Sequence, residues 1–391
     1  MYDFDEIIDR RHTNSAKWDE VGEDLLPMWV ADMDFKSPPE IITALEARAR
    51  HGVFGYSGGD NGWYVALINW MRKRYGWELN KEWVSTSPGV VPALDMLVRA
   101  LTEPGDGVII QTPVYHPFLS VVSRNGRQLV ENPLYFDGLK YHMDLEKLEQ
   151  QIDSRTKLMI LCSPHNPVGR VWSREELVAL GELCLKYGIV VVADEIHSDL
   201  VFSGCRHTVF AAISPEFEQN CVVCNAPSKT FNIAGIQAST IIIPNQKIRT
   251  AYHRVLHTSE LGLPNVFAVT ALEAAYTFGE AWLEELLVYV EDNYRFTKAF
   301  IEQRIPEIKV IESEGTYLVW LDCRGLGLSD EQLDIYIEEK ARLVLSPGRI
   351  FGTVGTGFQR MNIACPRVLL EEGLQRLETA VRAMEMNNSG G

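Results

Sequence analysis

A chain of 391 residues, 46% apolar and 23% charged, is long enough to bury a sizeable core and to divide into two domains. Its formal net charge of -16 argues against nucleic acid or an anionic membrane, either of which calls for a basic face. No apolar run approaches the roughly 18 residues of a membrane span, and seven scattered cysteines make no disulfide framework. The opening Met1-Tyr2-Asp3-Phe4-Asp5-Glu6 lacks the basic and apolar regions of a secretory signal, so a cytoplasmic protein is expected.

In chain order, an extended piece is expected at Met28-Trp29-Val30-Ala31. A helix follows from Pro38 to about Arg50, with Pro38-Pro39 at its start, and a second from Gly62 to Tyr75. Short apolar runs then recur at 108–110, 158–161, 189–193, 222–224 and 240–243, with helical stretches between several of them. One of these, 174–187, opens with the capping box Ser173 and Glu176. Near-continuous apolar strands alternating with helices predict an α/β fold, a mainly parallel sheet covered on both faces. A helical region over 265–304 leads out of it. Strands at 309–311, 317–321 and 358–364, with helices near 331–340 and 368–384, predict a smaller α+β domain completed by the N-terminal segment. The expected division is 52–287 for the large domain and 1–51 plus 288–391 for the small one, with a tail at 387–391 that frays.

Strand-end loops that point one way converge on one crevice. Ser87-Pro88-Gly89-Val90-Val91 enters a helix, whose first amides and dipole suit a phosphate. Tyr115, between Pro113 and Pro117, suits either stacking on a planar ligand or core packing. Asn166 stands at the tip of Ser163-Pro164-His165-Asn166-Pro167-Val168-Gly169, as a donor and acceptor or as part of a plain turn. Asp194 ends the most hydrophobic strand and requires a cationic or hydrogen-bonding partner if buried.

Three other readings fail. Asp194-Glu195-Ile196-His197 has no accompanying G-x-x-x-x-G-K-[ST] loop for nucleotide hydrolysis, and spacing suggests no further metal ligands. Ser154-Arg155-Thr156-Lys157 fits S-x-x-K without its partner motifs. Cys221 and Cys224 flank Val222-Val223, which reads as strand rather than metal-binding turn, so buried structural thiols are expected.

Lys229 lies just past the 222–224 run, in Asn225-Ala226-Pro227-Ser228-Lys229-Thr230-Phe231-Asn232-Ile233-Ala234-Gly235. Alone it reads as a surface charge; desolvated or facing another cation, it becomes a nucleophile able to form a Schiff base. A phosphate cradle, a stacking ring, a hydrogen bond to a ring oxygen, a buried carboxylate and a lysine amine together meet the needs of pyridoxal phosphate. The carboxylate keeps the pyridine nitrogen protonated.

Beyond these residues, Ser15-Ala16-Lys17-Trp18-Asp19, Met28-Trp29-Val30-Ala31-Asp32-Met33-Asp34-Phe35, Phe54-Gly55-Tyr56, Asp194-Glu195-Ile196-His197-Ser198-Asp199 and Gly357-Phe358-Gln359-Arg360-Met361-Asn362 complete an ordered series over nearly the whole chain. With them the chain resembles the fold-type I pyridoxal-phosphate enzymes of the class I/II aminotransferase superfamily, more narrowly the MalY/PatB-type cystathionine β-lyase (C–S lyase) branch. The resemblance implies an aspartate aminotransferase-like large domain with a seven-stranded-type sheet.

It further implies that Lys229 binds the cofactor and acts as base at Cα. Asp194 is expected to pair with the pyridinium nitrogen, Tyr115 to stack on the ring, and Asn166 and His197 to reach its phenolic oxygen. Gly89, Val90, Val91 and Ser228 are expected to hold the phosphate. Tyr56 is expected to reach the phosphate of a neighbouring subunit in a homodimer. Arg360, helped by backbone at Val30 and Ala31, is expected to take the substrate carboxylate.

The implied reaction is β-elimination from cystathionine or a related sulfur amino acid, giving a thiol such as homocysteine, pyruvate and ammonia, within sulfur amino-acid metabolism and methionine biosynthesis. An aminotransferase and a regulator acting through protein contact are the alternatives. Departures from the wider superfamily are His197 where many members have tyrosine, Gln237 where many have arginine, and Ala226 where serine is common.

Overall fold

The computed structural model describes residues 2–58 and 62–389; the expected frayed tail ends in Gly390 and Gly391, outside them, and the final helix Arg367–Ser389 runs up to that point. Seven strands form the main sheet: β1 (Val84–Ser87), β2 (Gly107–Ile110), β3 (Gln128–Glu131), β4 (Thr156–Cys162), β5 (Val190–Asp194), β6 (Cys221–Asn225) and β7 (Ser239–Ile242). Their order across the sheet is β1-β7-β6-β5-β4-β2-β3. Only β7 is reversed, antiparallel to both β1 and β6, while the other neighbours pair in parallel.

Alternation along the strands splits the core in two. Val108, Ile110, Leu158, Ile160, Val192, Val222 and Ile241 face one side, with the helices Val90–Leu101, Pro117–Arg124 and Gln246–Thr258. Ile109, Met159, Leu161, Val191, Val223 and Ile242 face the other. A strand buried on both faces needs apolar residues throughout, which is why β2, β4, β5, β6 and β7 were visible as continuous runs. Cys221 and Cys224, three apart on β6, fall on opposite faces, each thiol buried in a different core. The capping box of Arg174–Tyr187 is present.

Two strands escaped the pattern. β1 reads Val-Ser-Thr-Ser, and β3 is an edge strand with an exposed start. The helical region after Asn265 is two helices, Val266–Phe278 and Glu280–Arg304, parted at Gly279, where an added Cβ would lie 2.4 Å from the Phe231 ring.

The second sheet is antiparallel, with β8 (Lys309–Val310), β9 (Leu318–Asp322), β10 (Ser346–Pro347) and β11 (Phe358–Asn362) in the order β8-β9-β11-β10. The N-terminal chain joins this half. Leu26–Pro27 pairs in parallel with Leu343–Val344, and the Asn362 N–H donates to the Met28 carbonyl. The extended piece expected at 28–31 is instead irregular, since the ladder ends at Pro27 and side chains take over the carbonyls beyond it.

Candidate active site

Parallel strands end together, so β4, β5 and β6 deliver Asn166, Asp194 and Lys229 to one cleft of about 820 Å³. The reversed β7 begins there, which brings Gln237 and Ala238 to the same wall. Tyr115, His197, Ser228, Ala31 and the turn at Gly89, Val90 and Val91 complete the lining.

The helix Val90–Leu101 opens on the cleft with Gly89 as its cap and Pro92 at its third position. A helix start leaves four N–H groups unpaired, and proline has none, so the donors left over are those of Gly89, Val90 and Val91. Lys229 stands on the four-residue helix Pro227–Thr230, and its Nζ donates to the Ala31 carbonyl at 2.7 Å. Burial lowers its pKa to about 8; the Arg360 charge acts in the same direction, and Asp32 and Asp194 oppose it.

Asp194 is 4% exposed. Its Oδ1 accepts from the Ile196 N–H at 3.1 Å, and no ion pair involving it forms among the described residues. Burial raises its pKa to about 7, with Glu195 adding to the rise. Among the described residues the hydrogen-bonding partner of this carboxylate is a backbone amide, and the Lys229 charge acts on it without forming an ion pair. His197 is buried, its pKa lowered to about 3 by burial and the nearby cations, and its Nδ1 has no partner among the described residues.

Asn166 and Arg360 meet directly: Arg360 Nη1 donates to Asn166 Oδ1 at 3.0 Å, and Nη2 to the Trp29 carbonyl at 2.8 Å and Ser346 Oγ at 3.0 Å. Arg360 is buried on β11 under the cleft, with its pKa lowered by burial to about 10. Val30 lies one layer back, its carbonyl taken by Asn362 Nδ2 at 2.6 Å. The N–H groups of Val30 and Ala31 have no acceptor among the described residues.

Tyr56 does not reach this cleft. It is 97% exposed and lines a separate surface cleft with Phe54, Ser57, Leu263 and Pro264.

Sequence reasoning missed several residues at or behind the cleft. Cys162 lines it, at the end of β4. Tyr317 OH donates to the Ala31 carbonyl at 3.0 Å, beside the lysine. Asp199 accepts from Trp70 Nε1 (3.1 Å), Tyr75 OH (2.5 Å), Arg74 Nε (3.1 Å) and Thr230 Oγ1 (2.9 Å). The available signal was its membership of the same short acidic motif as Asp194, with Thr230 adjacent to Lys229.

Comparison with known proteins gives the family. The family model for aminotransferase class I and II matches residues 23–377. Cystathionine beta-lyase PatB of Bacillus subtilis is 48% identical over 384 residues, spanning 97% of this chain and 99% of that protein. Protein MalY of Escherichia coli is 35% identical over 98% of this chain and 100% of its own length. Among solved structures, cystalysin from Treponema denticola, which contains a pyridoxal 5'-phosphate cofactor, superposes with a TM-score of 0.95 at 38% identity, covering 98% of this chain and 100% of that one. The chain belongs to the aminotransferase class I and II family.

Proposed function

We propose that this protein is a pyridoxal-phosphate-dependent carbon–sulfur β-lyase that acts on cystathionine and related sulfur amino acids. The observation that carries the reading is the meeting, in one cleft, of a buried lysine amine, its pKa lowered to about 8, with a buried carboxylate that forms no ion pair among the described residues. The residues fit the cofactor. Asp194 offers the charge a pyridinium nitrogen requires, and three helix-terminal N–H groups suit a phosphate. Tyr115, His197 and Asn166 line the same cleft, so Tyr115 would offer a ring face, and His197 and Asn166 would hold the ring oxygen.

Bound there, pyridoxal phosphate supplies an electron sink for the charge left at Cα. The chain's own groups do the rest. Arg360, with the free N–H groups of Val30 and Ala31, binds the substrate α-carboxylate and so orients the Cα–H bond toward Lys229. Lys229, as the neutral amine, takes the Cα proton and becomes an ammonium whose hydrogen bond the Ala31 carbonyl accepts. The Cβ–S bond breaks, the thiolate leaves and is protonated, and the remaining three-carbon fragment takes up water to give pyruvate and ammonia.

The relatives named cystathionine beta-lyase favour elimination over amino transfer. Incubation with cystathionine and no keto acid is expected to release homocysteine and pyruvate in equal amounts. A requirement for added keto acid would replace this reading with an aminotransferase.

The same proposal includes a large domain at 52–287 with the remainder as the small domain, and a homodimer in which Tyr56 crosses to the partner's phosphate. The 97% exposure of this aromatic ring supports its having a neighbour. A cytoplasmic setting accords with seven free cysteines.

A further inference from the structure

Residues 29–34 have no regular secondary structure, yet side chains pin their carbonyls one after another. On the cleft side, Arg360 and Ser346 hold Trp29, Asn362 holds Val30 and Asp32, and Lys229 with Tyr317 holds Ala31. A second set of side chains, from the first 18 residues, grips the other end of the segment. Lys17 Nζ, 1% exposed, donates to Asp34 Oδ2 at 2.7 Å and to the Asp32 carbonyl at 3.3 Å. Arg10 donates to Asp34 Oδ1 and Asp32 Oδ2, each at 2.7 Å, and to the Met33 carbonyl at 3.1 Å. Trp18 Nε1 donates to Asp34 Oδ1 at 2.8 Å. Burial alone would push the Asp34 carboxyl up; Lys17, Trp18 and Arg10 bring it below the usual carboxylate range.

Burying Lys17 with Asp34 contributes little net stability, because desolvation offsets much of the attraction and apolar residues of the same volume often do as well. What the cluster does supply is fixed geometry for a segment that no ladder holds. The atom of that segment facing the chemistry is the Ala31 oxygen.

We propose that Lys17, Asp34 and Arg10 are positioning residues for Lys229, holding segment 29–34 so that the Ala31 carbonyl stays aimed at the lysine amine. This rests on the lyase reading above and deepens it. A carbonyl lone pair directed at the nitrogen favours the ammonium form, as do the Asp32 charge carried on the same segment and Asp194, all working against the depression caused by burial and Arg360. The lysine becomes that ammonium when it accepts the Cα proton, so the clamp acts on the proton-transfer step. The same segment carries the Val30 and Ala31 N–H groups and the Trp29 carbonyl that holds Arg360, so substrate affinity moves with it, and the titration of the lysine is the reading that isolates the clamp.

The test compares the full-length wild type with the charge-neutral pair Lys17→Met/Asp34→Leu, with Trp18→Phe, and with Glu378→Gln as a remote control. Competitive acetylation of the cofactor-free chain across pH, read by mass spectrometry of the peptide bearing Lys229, reports the titration of that amine without substrate or turnover. The double variant is expected to titrate about one unit lower, and in the holoenzyme kcat/KM is expected to fall roughly tenfold. Trp18→Phe, which deletes one donor and no charge, shifts the same way by less and decides the matter if the double variant does not fold. Glu378→Gln leaves the titration in place. Unchanged titration in the folded variants overturns the proposal. Failure of wild-type holoenzyme to release a thiol from cystathionine would overturn the lyase reading instead, while the acetylation result would still report on the clamp.

Discussion

Asp194 is a carboxyl that burial holds near neutrality until a positive partner arrives. Its raised pKa means that the folded, cofactor-free chain binds a proton that the unfolded chain has already lost, so this group makes stability fall as pH rises from the ordinary carboxylate range to about 7. Asp194→Asn is expected to flatten that part of the stability-versus-pH curve, as measured by chemical denaturation at several pH values; an unaltered curve would show that Asp194 does not titrate there. With cofactor bound the same substitution is expected to weaken affinity, since the pyridinium loses its counter-charge.

Lys229→Ala is expected to abolish the visible absorbance of the bound cofactor and to lower elimination by at least roughly 10³-fold, because it removes both the covalent anchor and the base. Full activity in that variant would discard the assignment. Gln237 presents a neutral amide to the cleft from a left-handed backbone position, φ 57°. Gln237→Arg, which adds a charge without adding backbone strain, is expected to tighten cofactor binding several-fold by titration, by analogy with charge-assisted phosphate contacts. Equal or weaker binding would place the phosphate away from this residue.

At the scale of elements, Asp199 joins the helix Gly62–Tyr75 to the turn carrying Lys229. Asp199→Asn leaves the buried face of Arg74 short of its counter-charge, although Glu284 still holds that guanidinium at 2.7 Å. A loss of about 2 to 4 kcal/mol in unfolding free energy is expected, and a loss below 0.5 kcal/mol, roughly the effect of a plain surface change, would mean the clamp is slack.

The strands bearing the site were readable because strands covered on both faces must be apolar along their length. β1 was not, being built of Ser and Thr, and neither was β3 at the sheet edge. The irregular piece 28–31 reads as extended in the sequence because its hydrogen-bond partners lie as far off as Arg360 and Asn362, more than 300 residues along the chain. Local pattern carries no trace of such partners. Lys229, Asp194, Asn166 and Tyr115 were legible as strand-end residues, and the structure gathers them in one cleft. Asp199 and Tyr317 act through contacts with other elements and left no periodic signal.

For the whole molecule, the proposed homodimer, in which each cleft would borrow Tyr56 from its neighbour, makes a complementation test possible. Lys229→Ala and Tyr56→Ala are each expected to be impaired. Mixed under subunit exchange, they form hybrids with one site that has both residues, so about a quarter of wild-type sites are restored, as follows from two-fold symmetry with random pairing. No recovery, with exchange verified by mass, would place Tyr56 in its own subunit's function or in none.

The reversed strand β7 has a mechanical consequence. The chain leaves β6 at Asn225, carries Lys229 into the cleft and returns at Ser239 to the strand immediately alongside, with Thr240 opposite Asn225. The lysine thus rides on a closed loop whose two ends are zipped together, a handle fixed at both ends rather than a flap hinged at one. Its backbone has no free end about which to swing. The travel between anchoring a cofactor and reaching a substrate proton must come from the torsions of the lysine's own four-carbon stem, while the loop beneath it stays still.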